Sequence, residues 1–581
     1  MHGPTGLTAA ALALAHLAAA AAAVGVAGAA AHRLAVAMLA LLASATAFAS
    51  PNSSRPNFVF VLTDDQDLRL DGFSDAYTEH GSLAAMPIVR QRLMGEGAQL
   101  TNFFVNTPIC CPSRTEFFSG RYFHNVGPPS DTAGKCMHAD TSFASSNATG
   151  LFGSLTRHGY NTGVFGKVTN DQQHILDALV AANSATYIDS PIDFNTFNGK
   201  PYFHFNGTTS WTETLPDDAS AAPWGTLYQT AQIGNRTLRW LDGVLTAQAR
   251  APFFAYLGPH APHFPAQPAP WHADAFAGIS APRTPNFNAS SPDKAQHVRQ
   301  NPPLTDRAKC WEDQHMRDRW ASLLAVDDVV GAVYDRLAAA DALATTYFFY
   351  SSDHGYKLGQ WRVGTSKQHP YDTDVRVPFL VRGPGIAAGA TVPALAGNVD
   401  LLPTMLELAG IAAPDGVDGR SLAPLLLGTA PPRAWRTAFL NEYLSVGTYW
   451  NDHSKIWAED ESATAARCGG VRPRGPALDP TDNHTCVERD GVGDGECYYV
   501  DSTQSNSWRS LRVLNATHDL TYVEYDPSWT FAPPLQHREL YDNAADPYQL
   551  ASLAASADPG ALAALHAELE AYWRCKGAAC P

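Results

Sequence analysis

Five stretches of the chain read as strands with no polar face. Pro56 to Thr63 is a continuous apolar run stopped by Asp64 and Asp65, and Thr162–Phe165, Pro252–Leu257, Thr346–Ser351 and Val377–Val381 repeat the pattern. Between them apolar positions recur at helical spacing over Ala85–Leu93, Tyr228–Val244, Arg317–Leu337 and Leu401–Leu408. Doubly buried strands separated by helices predict an α/β fold, a large and mainly parallel sheet between helices. In such a sheet the ligand crevice lies beyond the carboxyl ends of the strands. Polar residues gather there: Asp64 and Asp65 after the first strand, Lys167 after the second, His260 and His263 after the third, Asp353 and His354 after the fourth.

Past residue 435 the pattern changes. A Cys-, Gly- and Asp-rich stretch runs from Cys468 to Cys497, then strand-like pieces at Trp508–Leu514 and Leu520–Tyr525, then a helical segment at Pro559–Trp573. The expected division is an apolar leader over 1–49, a catalytic domain over 50–435 and a smaller, disulfide-containing α+β domain over 436–581. The Pro-rich stretches 265–285 and 300–304 read as long surface loops.

Composition narrows the function. Of 581 residues, 56 are acidic and 40 basic, a net charge of −16, with no run of Lys or Arg to hold nucleic acid. The leader contains an export-type pattern: Arg33, an apolar core from Leu34 to Leu42, and Ala47-Phe48-Ala49 as a cleavage site. Cleaved secretion is the expectation; a membrane tether follows only if the leader stays on. Sequons at Asn52, Asn147, Asn206, Asn235, Asn288, Asn483 and Asn515 agree with that route. The nine cysteines are an odd number for an oxidising compartment, which flags one special thiol. Cys575 and Cys580 are a plausible local pair, and Cys111 is open to pairing or to remaining free.

The run Cys110-Cys111-Pro112-Ser113-Arg114, followed by Ser119-Gly120-Arg121, has no second close pair at zinc-ligand spacing. It resembles the hallmark of the sulfatase family, Cys-x-Pro-Ser-Arg with a Gly-Arg close. That resemblance implies the alkaline-phosphatase-like (sulfatase) fold and hydrolysis of sulfuric esters. It also implies conversion of Cys110 to formylglycine by a formylglycine-generating enzyme, the hydrated aldehyde being the nucleophile. Thr63-Asp64-Asp65-Gln66-Asp67 and Ser351-Ser352-Asp353-His354-Gly355 resemble the family's two metal-binding stretches. They imply that Asp64, Asp65, residue 110, Asp353 and His354 hold one divalent cation, with calcium the expected ion. His354 departs from the commoner Asn, and imidazole is not a preferred calcium ligand.

By the same resemblance Arg114 orients the hydrated aldehyde, Lys167 and Lys367 clamp the sulfate, and His263 is the general acid or a further sulfate donor. These are the positive and protic groups that transfer of an anionic group requires. His260, His124 and Asn125 are lesser candidates for substrate contact. Where many members carry a His after the Gly-Lys pair this chain has Thr169, with Asn170 as a possible substitute. Further likeness, in Phe123-His124-Asn125, Asn301-Pro302-Pro303, Val381 to Ile386 and Glu539-Leu540-Tyr541-Asp542, is to the N-acetylglucosamine-6-sulfatase subgroup. The implied substrate is a sulfated carbohydrate; an aryl sulfate is the alternative. Two rivals remain: a phosphodiesterase of the same superfold, which would use Ser or Thr as nucleophile, and a catalytically silent glycoprotein.

Overall fold

A computed structural model describes residues 55–68, 81–126, 150–193, 201–214, 228–247, 251–445 and 506–581, apart from positions 171, 300, 302, 305, 364–366 and 432. The leader, the Cys468–Cys497 stretch and the sequons at Asn52, Asn147 and Asn483 lie outside the described residues. Pro56–Pro581 forms one unit.

Its strands, in chain order, are β1 (Asn57–Thr63), β2 (Ala98–Leu100), β3 (Phe103–Phe104), β4 (Asn161–Gly166), β5 (Tyr187–Pro191), β6 (Tyr202–Phe205), β7 (Ser210–Glu213), β8 (Phe253–Gly258), β9 (Thr346–Ser352), β10 (Phe379–Arg382), β11 (Ala390–Val392), β12 (Ala396–Gly397), β13 (Ala438–Tyr443), β14 (Trp508–Leu514), β15 (Asp519–Tyr525) and β16 (His537–Asp542). Ten of them make one sheet in the order β11-β2-β10-β9-β1-β8-β4-β5-β6-β7. β1 runs parallel to β9 on one side and β8 on the other, and β4 parallel to β8 and β5. β10 is antiparallel to both neighbours, as is β6 near the other edge. The sheet is thus mainly parallel, with antiparallel strands towards its margins.

The continuous apolar runs are explained by two covered faces. Phe58, Phe60 and Leu62 join a core with the helices Leu151–Arg157, Gln172–Ala181 and Leu401–Leu408. Val59 and Val61 join the opposite core with Gln229–Thr246 and Asp306–Ala339. Each such large apolar side chain contributes about 1.5–3 kcal/mol on full burial. Two expected helices are altered. Ala85–Leu93 is broken at Met86, because Pro87 lacks an N–H and turns that residue away from helical geometry; Gly81–Ala85 lies before the break, and after it Pro87–Val89 runs on without interruption into a wider π turn at Arg90–Met94. The helix expected from Arg317 begins at Asp306.

β13 to β16 form a smaller antiparallel sheet, on which the helix Pro559–Trp573 packs through Leu569 and Tyr572. That helix is started by Asp558, whose side chain accepts from the Ala561 N–H, and is followed by the Cys575–Cys580 disulfide. Cys111 is disulfide-bonded rather than free, as is Cys310, which leaves Cys110 the one free cysteine among the described residues. No helix among the described residues is long and apolar enough to cross a membrane.

Candidate active site

Strand register brings the acidic groups together. Thr63 pairs with Ser352, so Asp64 and Asp353 leave the sheet side by side, and the Asp353 N–H donates to the Thr63 carbonyl. On the other flank Gly166 pairs with Gly258, and a Cβ on Gly258 would stand 2.1 Å from the Lys167 carbonyl oxygen. Only glycine permits that approach, which seats Lys167 at the same end of the sheet.

Cys110 enters from the helix Cys110–Ser119, whose ten residues are all buried. Ile109 is extended, Pro112 sits in the first turn where its missing N–H costs nothing, and Gly120 ends the helix at φ 67°. Ser113 hydrogen-bonds the Asp353 carbonyl, tying the helix to β9. The Cys110 Sγ then lies 3.4 Å from Asp64 Oδ1, 3.3 Å from His354 Nε2, 3.5 Å from Lys367 Nζ and 4.0 Å from Asp65 Oδ1. This sulfur marks where the oxygens of a hydrated aldehyde would be. Burial, with Asp64 alongside, pushes the thiol up against the pull of Lys167 and Lys367. As a thiol it is therefore protonated at neutral pH and a poor nucleophile.

Cations and carboxylates alternate around that sulfur. Lys167 Nζ is 2.6 Å from Asp64 Oδ2, and Lys367 Nζ is 2.6 Å from Asp65 Oδ1. Arg114 Nε donates to Asp353 Oδ2 at 2.7 Å, and its other donors reach the carbonyls of Lys167 and Thr63 and the hydroxyl of Tyr256. In the thiol form Arg114 thus braces Asp353 and the Lys167 carbonyl rather than residue 110. Burial alone would raise Asp64, but Lys167, His263 and Arg114 hold it well below the usual carboxylate range. Asp65 is likewise held down, against burial, by Lys367, His263 and His354.

The three histidines share one arrangement. His354 Nδ1 is 2.9 Å from the Gly355 carbonyl, His263 Nδ1 2.6 Å from that of Phe264, and His260 Nε2 3.0 Å from the same oxygen. A ring nitrogen facing a carbonyl must carry the proton. The other nitrogen of each ring then faces a carboxylate: His354 Nε2 is 3.2 Å from Asp65 Oδ1, His260 Nδ1 3.3 Å from Asp64 Oδ2, His263 Nε2 3.8 Å from Asp65 Oδ2. Burial, reinforced by Lys367 and His260, keeps His263 well below the usual imidazole range despite Asp65 and Asp64. A second ring nitrogen aimed at an ionised carboxylate calls for a proton or a cation between the two. Asp64, residue 110, Asp353 and His354 present donor atoms within 4.8 Å of one another, and so do Asp64, Asp65, residue 110 and His263. A donor set rich in carboxylate oxygens fits a hard divalent cation.

Asp64, Asp65, Cys110, Arg114, Lys167, His263, Asp353, His354 and Lys367 therefore converge. His124 and Asn125 do not join them: His124 Nδ1 pairs with Glu442 at 2.8 Å, and Asn125 donates to Asp418 and the Cys575 carbonyl. Asn170 is exposed and offers its backbone N–H to Cys111 Sγ, while Thr169 is buried beside it. Sequence reasoning missed Tyr256, which donates to the Lys167 carbonyl at 2.6 Å and receives from Arg114. Inside an apolar strand its hydroxyl gave no separate signal. It also missed the brace on Lys367: Trp508 Nε1 and Asn506 Nδ2 both donate to the carbonyl of Gln368, a residue at φ 84°.

The family model for Sulfatase matches residues 56–411. The chain is 30% identical over 546 residues to an N-acetylglucosamine-6-sulfatase of Capra hircus, covering 92% of this chain and 86% of that one. It is 29% identical over 585 residues to an arylsulfatase of Volvox carteri, covering 94% and 79%. Among solved structures, one in complex with its substrate D-glucosamine-2-N,6-O-disulfate superposes with a TM-score of 0.62 at 19% identity, over 89% of this chain and 97% of that one.

Proposed function

The chain belongs to the sulfatase family and is a sulfuric ester hydrolase, and we propose that its substrate is a sulfated carbohydrate of the N-acetylglucosamine-6-sulfate type. The observation that carries the reading is residue 110, its side chain enclosed by Asp64, His354 and Lys367 at 3.3–3.5 Å. The family names and the glucosamine disulfate bound to the similar structure support the carbohydrate.

In this reading Asp64, Asp65, Asp353 and His354 hold one divalent cation, calcium, which supplies positive charge beside the sulfate oxygens. Converted to formylglycine by its generating enzyme in the secretory pathway, residue 110 supplies a hydrated aldehyde, one hydroxyl for attack and a second for release of sulfate. Lys167 and Lys367 orient the ester and neutralise its nonbridging oxygens. Arg114 fixes Asp353, and through the Lys167 carbonyl it fixes the chain that carries that lysine. Lys367 is held charged too firmly by Asp65 to give up a proton. His263, whose conjugate acid is strong, protonates the leaving oxygen and is charged only on the acid side of neutrality. The export-type leader, the sequons and the disulfides support a secreted or lysosome-like location.

Mass spectrometry of the tryptic peptide ending at Arg114 should show aldehyde in place of thiol. Hydrolysis of N-acetylglucosamine 6-sulfate should exceed that of 4-nitrocatechol sulfate and vanish in Cys110→Ala. The algal match favours a second reading, a broad arylsulfatase, which the reverse preference would establish. An intact thiol in active protein removes the proposed nucleophile.

A further inference from the structure

Arg319 projects from the helix Asp306–Ala339 and is fully buried. A guanidinium out of water is costly unless its donors are met. Its NH2 donates to the Asp65 carbonyl at 2.6 Å and to Asp67 Oδ1 at 2.9 Å, and its NH1 to the Pro262 carbonyl at 3.3 Å. Its central carbon stands 3.9 Å from the centre of the Tyr356 ring. Asp65, Pro262 and Tyr356 lie in the loops after β1, β8 and β9. These same loops deliver Asp64 and Asp65, His263, and Asp353 and His354. One side chain therefore ties all three from behind.

The hold on Asp65 is the closest. Asp65 adopts φ 67°, a left-handed conformation that a non-glycine residue keeps only when its surroundings impose it. Its N–H donates to Asp353 Oδ1 at 3.0 Å, and its carbonyl receives Arg319. The peptide groups on both sides of its Cα are thus anchored, and the direction of its carboxylate towards Lys367 and residue 110 follows from them.

We propose that Arg319 is a positioning residue for the metal-binding carboxylate of Asp65 and for the His263 loop, acting through its planar fork rather than its charge. The assignment rests on the sulfatase reading of the site. An ion pair would need only Arg319 and Asp67; the two carbonyl contacts and the stacked ring are what a fork adds and a lysine cannot reproduce together.

The test compares Asp67→Asn with the double variant Arg319→Met/Asp67→Asn, both of which leave no unpaired acid at the pair and differ only in the guanidinium. Calcium chloride is titrated calorimetrically into each protein after EDTA stripping, alongside wild type and Arg319→Lys. Asp67→Asn should bind calcium as wild type does. The double variant and Arg319→Lys should bind about 10–100-fold more weakly, with kcat reduced on the same order and KM little changed, as loss of an outer support of a ligand predicts. Calcium binding within twofold of wild type in the double variant overturns the proposal, as does equal weakening in Asp67→Asn or no binding by wild type. Wild type that binds calcium but leaves sulfate esters uncleaved would remove the enzymatic reading while the Arg319 assignment stood.

Discussion

Lys367 reaches two groups with one ammonium, Asp65 at 2.6 Å and the position of the nucleophile at 3.5 Å. Its charge is fixed by Asp65, so in the proposed reaction its contribution to a transferring sulfuryl group would be electrostatic. Preorganised donors of this kind are worth on the order of 10²–10³ in kcat. Lys367→Met should lose activity by about that factor; an unchanged kcat would place the sulfate elsewhere. Glu116, further along the same helix as residue 110, obeys a different balance. Burial pushes it up to about 8, with Glu442 adding to the rise and hydrogen bonds from Thr107 and Asn398 opposing it. A raised carboxyl contributes stability that is whole below its ordinary value of 4.5 and lost as pH rises through about 8. Glu116→Gln keeps an acceptor for the Thr107 N–H and for Asn398 Nδ2 but never ionises. Its thermal midpoint should match wild type at pH 5 and exceed it at pH 9, by roughly 1–3 kcal/mol in stability. Equal differences at the two pH values would show that Glu116 does not titrate in this range.

Elements differ in how visible they are from the sequence. β1, β4, β8 and β9 were legible because a strand covered on both faces leaves an unbroken apolar run, and each run ends in the polar residues that make the site. The helix Cys110–Ser119 was not, because it is buried on every side and so shows no amphipathic period. Nor were β5 to β7: β5 mixes Asp, Ser and Pro with its apolar residues, and β7 is exposed throughout. Arg319 was lost in the same way. A charged residue in an amphipathic helix reads as solvent-facing until the tertiary fold closes over it. The sequons sort by element too. Asn206 and Asn515 are exposed at hairpin turns, each accepting from the threonine two residues on. Asn235 lies inside the helix Gln229–Thr246, buried. Secreted from a eukaryotic host, the protein should carry glycan at Asn206 and Asn515 and none at Asn235, read by site mapping after enzymatic deglycosylation. Glycan on Asn235 would contradict the packing of that helix.

Across the whole molecule two sets of buried groups pull the pH dependence of stability in opposite directions. Burial holds His263, His297 and His315 neutral, well below the ordinary 6.5. The unfolded chain takes up those protons as pH falls through 6.5 and the folded chain does not, so stability is lost on the acid side. Glu116, raised to about 8, and Asp327, raised to about 6, both chiefly by burial, act the other way: the folded chain keeps protons that the unfolded one has released. Asp67 and Asp418 shift in the same sense; His124, which Glu442 raises against the pull of burial, acts so only above 6.5, where the unfolded imidazole has lost its proton. Each proton of difference changes stability by about 1.4 kcal/mol per pH unit, so between about pH 6.5 and 4.5 the carboxyls reduce the loss caused by the three histidines without cancelling it. Below about pH 4 the opposition ends, because the unfolded chain protonates its own carboxyls. There Asp64, Asp65, Asp374 and Glu539, all depressed in the folded protein, lose a stabilisation that is present above their ordinary values and gone below their folded ones. The thermal midpoint of EDTA-stripped protein should therefore decline gently from about pH 6.5 to 4.5 and fall steeply below about 4. A decline as steep between about pH 6.5 and 4.5 as below about 4 would mean that the histidines go unopposed, and that Glu116 and Asp327 are ionised in the folded protein.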